Sequence, residues 1–277
     1  MSIWYNLGNV IKKNGEFFME SVVVKIRRLQ KLETSYIIFG RVTKMPFVMC
    51  DCDTCNDQIR IFDNKEEAVL FCDDLQKKTK DLLMVAEIKN SQMLNFYGSL
   101  FLIDVDEVVF KEAGEDEIVL PLEKIVIKPD FSKHPAVNTN LQLSGLYFMQ
   151  ELAKNIPNNE KENLPKLEEE MSVNVVRGKF IVPVLIDSIE VDNKEAKVML
   201  PRIANKEGKQ YQPLFTDVNE FAKFNVDNKY KLNVMDFDKV LNILDGSVEG
   251  AVINPLGMNI ILSKNTLKVI KIRYGQE

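Results

Sequence analysis

The side chains best suited to chemistry are four cysteines, three of them in one short stretch. Cys50, Cys52 and Cys55 are close neighbours in sequence, and Cys72 follows in the same half of the chain. Thiolates bind Zn²⁺ tetrahedrally, so the four would close a structural site if Cys72 returned beside the others. The spacing does not form two matching pairs, and nearby aspartates supply competing oxygens. Because cytosolic thiols need no metal, the pattern favours reduced, unligated cysteines.

A redox pair at Cys52 and Cys55 is a third interpretation, but no helix starts directly after Cys52 to lower its pKa. The single histidine, His134, lies in a loop between predicted elements, so a catalytic triad would depend on that one residue. Phosphate-binding and calcium-binding loop motifs are absent from the sequence, and no carboxylate pair stands in an apolar setting. We therefore predict a non-catalytic protein without a cofactor. A metal-binding or thiol-redox enzyme using the Cys50 to Cys72 cluster is the alternative.

Composition indicates a soluble globular protein and disfavours several partners. Of 277 residues, 45% are hydrophobic and 28% are charged, and the net charge is −5. That charge gives no general attraction to phosphate backbones. No window approaches the ~20 consecutive apolar residues of a membrane-spanning helix, and the N-terminus lacks the pattern of a secretory signal. The sequence predicts a cytoplasmic protein that binds neither nucleic acid nor membrane.

Hydrophobic periodicity predicts an α+β protein in four segments. We expect a helical segment over 1–34, an α+β domain over 35–136, a helix and polar linker over 137–177, and a second α+β domain over 178–277. The linker prediction depends on two prolines that interrupt a polar stretch. Within the linker, only a short acidic helix is expected, over Lys166–Met171.

Two helix starts are the clearest local signals. Asn64 precedes Glu67 by three residues, and Asp217 precedes Glu220 by the same step, the pattern of a capping box.

The second domain is expected to close with a strand over Leu267–Ile272, because that run is rich in β-forming residues.

The two domains repeat one order of elements. Phe215 lies 153 residues after Phe62, and Gly257 lies 159 residues after Gly98. The run Leu100–Val105 that follows Gly98 is predicted to be a strand. A shared order with loop-sized length changes is typical of duplicated units. Two unrelated α+β units that happen to match are the alternative.

Three motifs stand out in the second domain: Gly-Lys-Phe-Ile-Val-Pro-Val from Gly178, Pro-Leu-Phe-Thr-Asp from Pro213 and Val-Ile-Asn-Pro-Leu-Gly from Val252. Together they resemble the SseB (enhanced serine sensitivity) family. The first domain resembles a divergent copy. The resemblance implies a bacterial cytoplasmic protein with two tandem SseB-like mixed-sheet domains joined by a helical linker. The family name describes a phenotype, so it implies no serine-metabolising activity and brings no catalytic residues.

The turn at the end of the last motif is the predicted partner-binding site. Pro255 fixes φ and Gly257 permits a positive φ, while Thr216 or Asp217 satisfies amides at a helix start. We expect Thr216, Asn254, Pro255 and Gly257 to form an edge where an unidentified protein or small molecule docks. A purely structural turn is the alternative. The cleft between the domains is the expected binding place, and the predicted function is a non-catalytic interaction or regulatory module.

Overall fold

The computed structural model describes residues 22–187 and 197–275, and it confirms the α+β class. Helices alternate with strands through two successive units. The elements of the first unit are α1 (22–31), β1 (Thr34–Gly40), β2 (Met49–Cys50), β3 (Asp57–Phe62), α2 (Lys65–Thr79), β4 (Leu83–Lys89), α3 (Asn90–Leu100), β5 (Glu107–Lys111), β6 (Ile118–Pro121) and α4 (Leu122–Ile125). Most of the predicted segment 1–34 lies outside the described residues.

One long helix, α5 (Thr139–Ala153), connects the first unit to the second. The elements of the second unit are α6 (Leu164–Arg177), β7 (Lys179–Asp187), β8 (Lys197–Met199), β9 (Ile203–Ala204), β10 (Gln210–Leu214), α7 (Val218–Phe224), β11 (Lys231–Asp236), α8 (Phe237–Ile243), β12 (Gly250–Ile253), β13 (Ile260–Ser263) and α9 (Lys264–Tyr274). Every described helix falls short of the length and apolar character that a bilayer crossing needs.

The strands of both units follow the same spatial order. The first sheet runs β4-β1-β3-β5-β6, with β3 and β5 parallel. In the second unit, β7 pairs with β11, and β10 and β12 are parallel. A bridge between Ile181 and Phe215 joins these strands into the order β11-β7-β10-β12-β13. In each unit, the connection between the parallel strands contains a helix, the edge strand and a second helix.

The strand order identifies the residues that correspond between the units. Phe62 and Phe215 each lie opposite the first strand of their own unit, as the repeat predicted. The predicted match of Gly98 with Gly257 is wrong, because Gly98 lies within α3 and Gly257 lies in the turn between β12 and β13. The counterpart of that turn is the acidic segment 112–117 between β5 and β6.

Both predicted helix starts are confirmed. The Asn64 side chain accepts a hydrogen bond from the backbone N–H of Glu67 at 2.9 Å. The Asp217 carboxylate accepts from the N–H groups of Asn219 and Glu220 at 2.8 and 3.1 Å. These bonds satisfy amides that have no partner within the helix.

Two predicted strands are helical instead. Leu267–Ile272 belongs to α9, whose Leu267 and Ile270 are three residues apart and both buried against the second core. Leu100–Val105 continues from α3 into a 3₁₀ turn at Phe101–Ile103, all of it buried. Short apolar runs of this kind fit a buried strand or a buried helix equally well by periodicity.

The second half of the predicted linker belongs to the second core. Helix α6 spans fourteen residues, longer than the expected Lys166–Met171, and it buries Met171 and Val175 beside Phe180. Apolar periodicity across the acidic stretch underestimated this helix because charged residues on its exposed face separate the few apolar ones.

Helix α5 contributes to the hydrophobic core of both units. Its Leu146 packs in the first core and its Leu141 in the second. The side chain of Gln150 accepts from the backbone N–H of Val48 at 3.1 Å and donates to the Val48 carbonyl at 3.0 Å. This amide pair fastens the C-terminal half of α5 to the first unit.

Candidate functional site

A chain of buried hydrogen bonds lies where α7 begins. The hydroxyl of Thr216 donates to the Asp217 carboxylate at 2.8 Å and accepts from the Asn254 amide at 2.8 Å. Asn254 also accepts from the backbone N–H of Thr216 at 3.0 Å. Gln142 of α5 donates to the same Asp217 oxygen at 2.8 Å. The network therefore joins two predicted site residues to the connecting helix.

Asn138 extends this network to the first strand of the second unit. Its side-chain amide donates to the carbonyls of Thr216 and Lys179, at 2.8 and 2.7 Å, and its carbonyl accepts from the Lys179 N–H at 3.0 Å. Sequence reasoning missed Asn138 and Gln142 as partners, because their bonds join residues far apart in the chain. The start of α5 is thus fixed to the second unit.

The predicted partner-binding residues occupy different depths. Thr216 and Asn254 are buried, Pro255 is half-buried, and Gly257 is buried. Of the residues in this turn from Asn254 to Gly257, Pro255 and the exposed Leu256 are the ones that a partner could contact directly. The docking edge stays a prediction.

The expected backbone role of Gly257 is wrong. Positive φ values in this turn belong to Asn254, at 48°, and Asn259, at 54°. Gly257 instead leaves space for a neighbouring side chain, since a Cβ at this position would lie 2.7 Å from Oε2 of Glu220.

Glu220 is a buried carboxyl whose two oxygens differ in their hydrogen bonding. One oxygen accepts from the Lys223 ammonium, whereas Oε2 has no hydrogen-bond partner within the part of the chain that the structure describes. Burial raises the pKa of Glu220, and Lys223 opposes that shift. A carboxyl in this setting is more easily protonated than one in water.

A groove separates the two units. It consists of an inner cavity of 280 Å³ and an outer cavity of 670 Å³, which share Ser99, Leu102, Asn219 and Lys223. The first unit supplies α3 and the loop before α5, and the second unit supplies α7. We call this feature the inter-unit groove.

Apolar side chains line most of the inter-unit groove. Phe39 and Phe96 line the inner cavity, and Leu94, Ile127 and Phe131 line the outer one. The lone histidine, His134, packs edge-on against Phe131 at the outer wall. Clefts at the junction of two units, lined mainly by apolar side chains, are common places for ligand binding.

The structure does not assemble the four cysteines. Cys50, Cys52 and Cys55 are exposed, whereas Cys72 is buried in an apolar cluster with Phe62. Within 22–187 and 197–275, no three His, Cys, Asp or Glu side chains are placed to hold a metal ion. Burial and neighbouring acidic groups raise the pKa of Cys50, which disfavours the reactive thiolate.

Comparison with protein families finds one match. Residues 161–267 match the SseB protein N-terminal domain. The match begins just before α6 and ends within α9, and it contains all three motifs that carry the resemblance. Comparison with curated proteins gives no match.

Two solved structures align over most of the chain at low similarity. Tic22 from Plasmodium falciparum has 14% identity and a TM-score of 0.22, covering 91% of this chain and 98% of that chain. Anabaena Tic22 (protein transport) has 12% identity and a TM-score of 0.21, covering 82% of this chain and 90% of that chain. TM-scores at this level give the likeness no weight in assigning a function.

Proposed function

We propose that this protein is a non-catalytic binding module of the SseB family whose binding surface is the inter-unit groove. The match of residues 161–267 to the SseB protein N-terminal domain supports the family. The observation that carries the proposal is that both units contribute walls to one apolar groove. Binding sites favour such junctions between domains. The proposal assigns the module to the cytoplasm, where free thiols are the normal state.

Exposed apolar side chains support a protein-binding role. Ile127 is 90% exposed and Leu94 is 68% exposed, and both line the outer cavity. Contiguous apolar surface at a groove is typical of an interaction site, because a partner that covers it removes that surface from water.

The use of polar side chains supports the absence of catalysis. Thr216, Asp217 and Asn254 bond one another and α5, so their hydrogen-bonding groups are occupied by the fold. A general acid–base pair or a nucleophile needs reach to a substrate instead. We infer that these residues build the groove and take no part in a reaction.

The shared strand order supports duplication. The orders β4-β1-β3-β5-β6 and β11-β7-β10-β12-β13 place corresponding strands at corresponding points of the chain. We infer that the first unit is a divergent copy of the SseB-family unit, and that the groove is the junction of the two copies.

Two glycine substitutions test the groove as the binding surface. Gly98 lines the outer cavity, and a Cβ there would meet no atom within 4 Å, so the position accepts a side chain and Gly98→Trp places an indole at the groove. Gly246 has the same open surroundings in an exposed loop away from the groove, which makes Gly246→Trp the matched control.

The measurement is affinity capture from native cytosol with the full-length tagged chain, followed by quantitative mass spectrometry. Wild type and Gly246→Trp should retain the same partner, and Gly98→Trp should retain at least about tenfold less of it, equivalent to about 1.4 kcal/mol. If Gly98→Trp retained as much partner as wild type, the groove would be refuted as the binding surface. Turnover of a metabolite by the purified protein, abolished by one point substitution, would refute the non-catalytic role.

A further inference from the structure

We propose that the inter-unit groove binds an extended protein segment in which an acidic side chain stands beside apolar ones, with the carboxylate placed against Lys44. This inference rests on the proposed function and goes further by naming the chemistry of the partner.

Lys44 combines an unfavourable backbone with an unpaired charge. Its φ is 56°, in the left-handed region that favours glycine, and its N–H donates to the carbonyl of Gly40 at 2.9 Å. The side chain lines the inner cavity, and its ammonium has no ion pair or hydrogen bond within residues 22–187 and 197–275. Strained backbone positions cluster at ligand-binding sites, so a left-handed residue that presents its cation to a cavity points to a binding role.

The accessible charge of the groove is positive, although the whole chain carries −5. Asp217 and Glu220 also line the inner cavity, but they are only 1% and 5% exposed. Internal bonds occupy both oxygens of Asp217, and one oxygen of Glu220 bonds Lys223. Lys223 lines both cavities, and its side chain is 45% exposed. A ligand therefore meets Lys44 and Lys223 first, which favours a carboxylate.

The form of the groove favours a chain segment over a small molecule. The 280 Å³ inner cavity opens into a 670 Å³ outer cavity with Leu94 and Ile127 exposed along it. An extended segment directs alternate side chains to one face. Apolar residues can thus cover Leu94 and Ile127 while a neighbouring acid reaches Lys44.

Three labelled synthetic decapeptides test the partner chemistry by fluorescence anisotropy with the intact protein. One alternates leucine with aspartate, one alternates leucine with lysine, and one alternates serine with aspartate. The leucine–aspartate peptide should bind at least about tenfold more tightly than either other peptide. N-acetylaspartate serves as the small-anion competitor.

Substitutions of Lys44 test the contact itself. Lys44→Gln should weaken binding of the leucine–aspartate peptide about threefold to fivefold, the range of a solvent-accessible ion pair, and Lys44→Arg should restore it. Lys206→Gln removes an exposed lysine outside the groove and should leave binding unchanged. Circular dichroism of each variant checks folding.

Four outcomes would overturn the inference: no binding of the leucine–aspartate peptide, equal binding of the leucine–lysine peptide, no effect of Lys44→Gln, or N-acetylaspartate binding as tightly as the peptide. Suppose that one of these four outcomes occurs while Gly98→Trp still reduces capture from cytosol. The acidic segment is then refuted as the partner, and the proposed function is still supported. If Gly98→Trp captures as much partner as wild type, the proposed function itself is refuted.

Discussion

Two six-residue turns occupy equivalent places in the two units and are held by different forces. The turn 254–259 is fixed from inside, where Asn254 bonds Thr216 and where Met258 packs against Gly145 of α5. The turn 112–117 is fixed from outside, where Glu112 accepts from Lys25 and Arg28 of α1. The same strand order therefore tolerates a buried amide network or a set of partly exposed ion pairs.

The difference indicates which side chains each unit depends on for its stability. A buried hydrogen bond is specific in geometry and costly to break on one side, because the remaining group stays without water. A surface ion pair contributes little, and salt screens it. The family match covers the unit with the buried network, whereas the first unit holds the equivalent turn with ion pairs.

The largest expected effect comes from removing the buried amide. Asn254→Ala should lower the free energy of unfolding by about 3 kcal/mol, because it leaves the backbone N–H of Thr216 without an acceptor and removes the bond that the Thr216 hydroxyl accepts. Urea denaturation measures the change. Asn259→Ala is the matched control, since Asn259 also has a positive φ but is exposed, and about 1 kcal/mol is expected there. Similar losses of unfolding free energy in the two variants would contradict the claim that the buried bonds of Asn254 hold this turn.

A smaller loss is expected where α5 approaches the same turn. A Cβ at Gly145 would lie 2.8 Å from Met258 Sδ and 2.9 Å from Ile260 Cδ1, so Gly145→Ala should cost about 2 kcal/mol through overpacking. Gly98→Ala adds the same methyl to a helix with open surroundings and should stabilise by about 0.5 kcal/mol. Thermal and urea unfolding of both variants provide the test, and a stabilising Gly145→Ala would contradict the close contact.

The ionic turn should respond weakly and in a salt-dependent manner. Glu112→Gln should lower the free energy of unfolding by at most about 1 kcal/mol at low salt. In about 1 M NaCl, where the screening length is about 3 Å, the loss should nearly vanish. Glu123→Gln, which affects only a distant exposed contact to Lys124, should change nothing at either salt concentration. A loss that persists in high salt would show that the two turns are held alike.

The smallest effect is a difference in pH dependence between Glu220 and Glu112. Burial raises the pKa of Glu220, so the stability that its protonated form contributes is present below the unfolded-state pKa and is lost as pH rises. Glu220→Gln should therefore gain stability relative to wild type between about pH 4 and pH 7.

Glu112 should behave in the opposite sense. Burial favours its protonated form, but hydrogen bonds from Lys25 and Arg28 prevail and lower its pKa, so its contribution is lost as pH falls. Unfolding temperatures of Glu220→Gln and Glu112→Gln, measured across the same buffers, should diverge from wild type in opposite directions near neutral pH. Shifts of the same sign would contradict this contrast.

Local signals in the sequence were the reliable ones. Asn64 and Asp217 identified two helix starts because a cap and its amide lie within one turn of chain. The motifs from Gly178, Pro213 and Val252 indicated the family that residues 161–267 match. These signals depend on neighbours in sequence, which a single chain displays directly.

Long-range relations were not predictable in the same way. Gln142 and Asp217 meet across 75 positions, and a glutamine within a helix gives no sign of its partner. Gly257 was assigned to a positive φ, although it makes room for Glu220. Cys72 was weighed as a fourth metal ligand, although the packing of α2 directs it into the core. Each case required the tertiary contact, which residue type alone does not specify.

Helix α5 has one consequence for how the units are oriented. Gln142 bonds the second unit and Gln150 bonds the first, eight positions apart on one continuous helix. Each helical residue advances by about 100° and 1.5 Å, so one inserted residue between them would turn one unit relative to the other. An insertion of seven residues would nearly restore the rotation but increase the separation by about 10 Å. The number of helical residues between Gln142 and Gln150 thus sets the relative orientation of the two units.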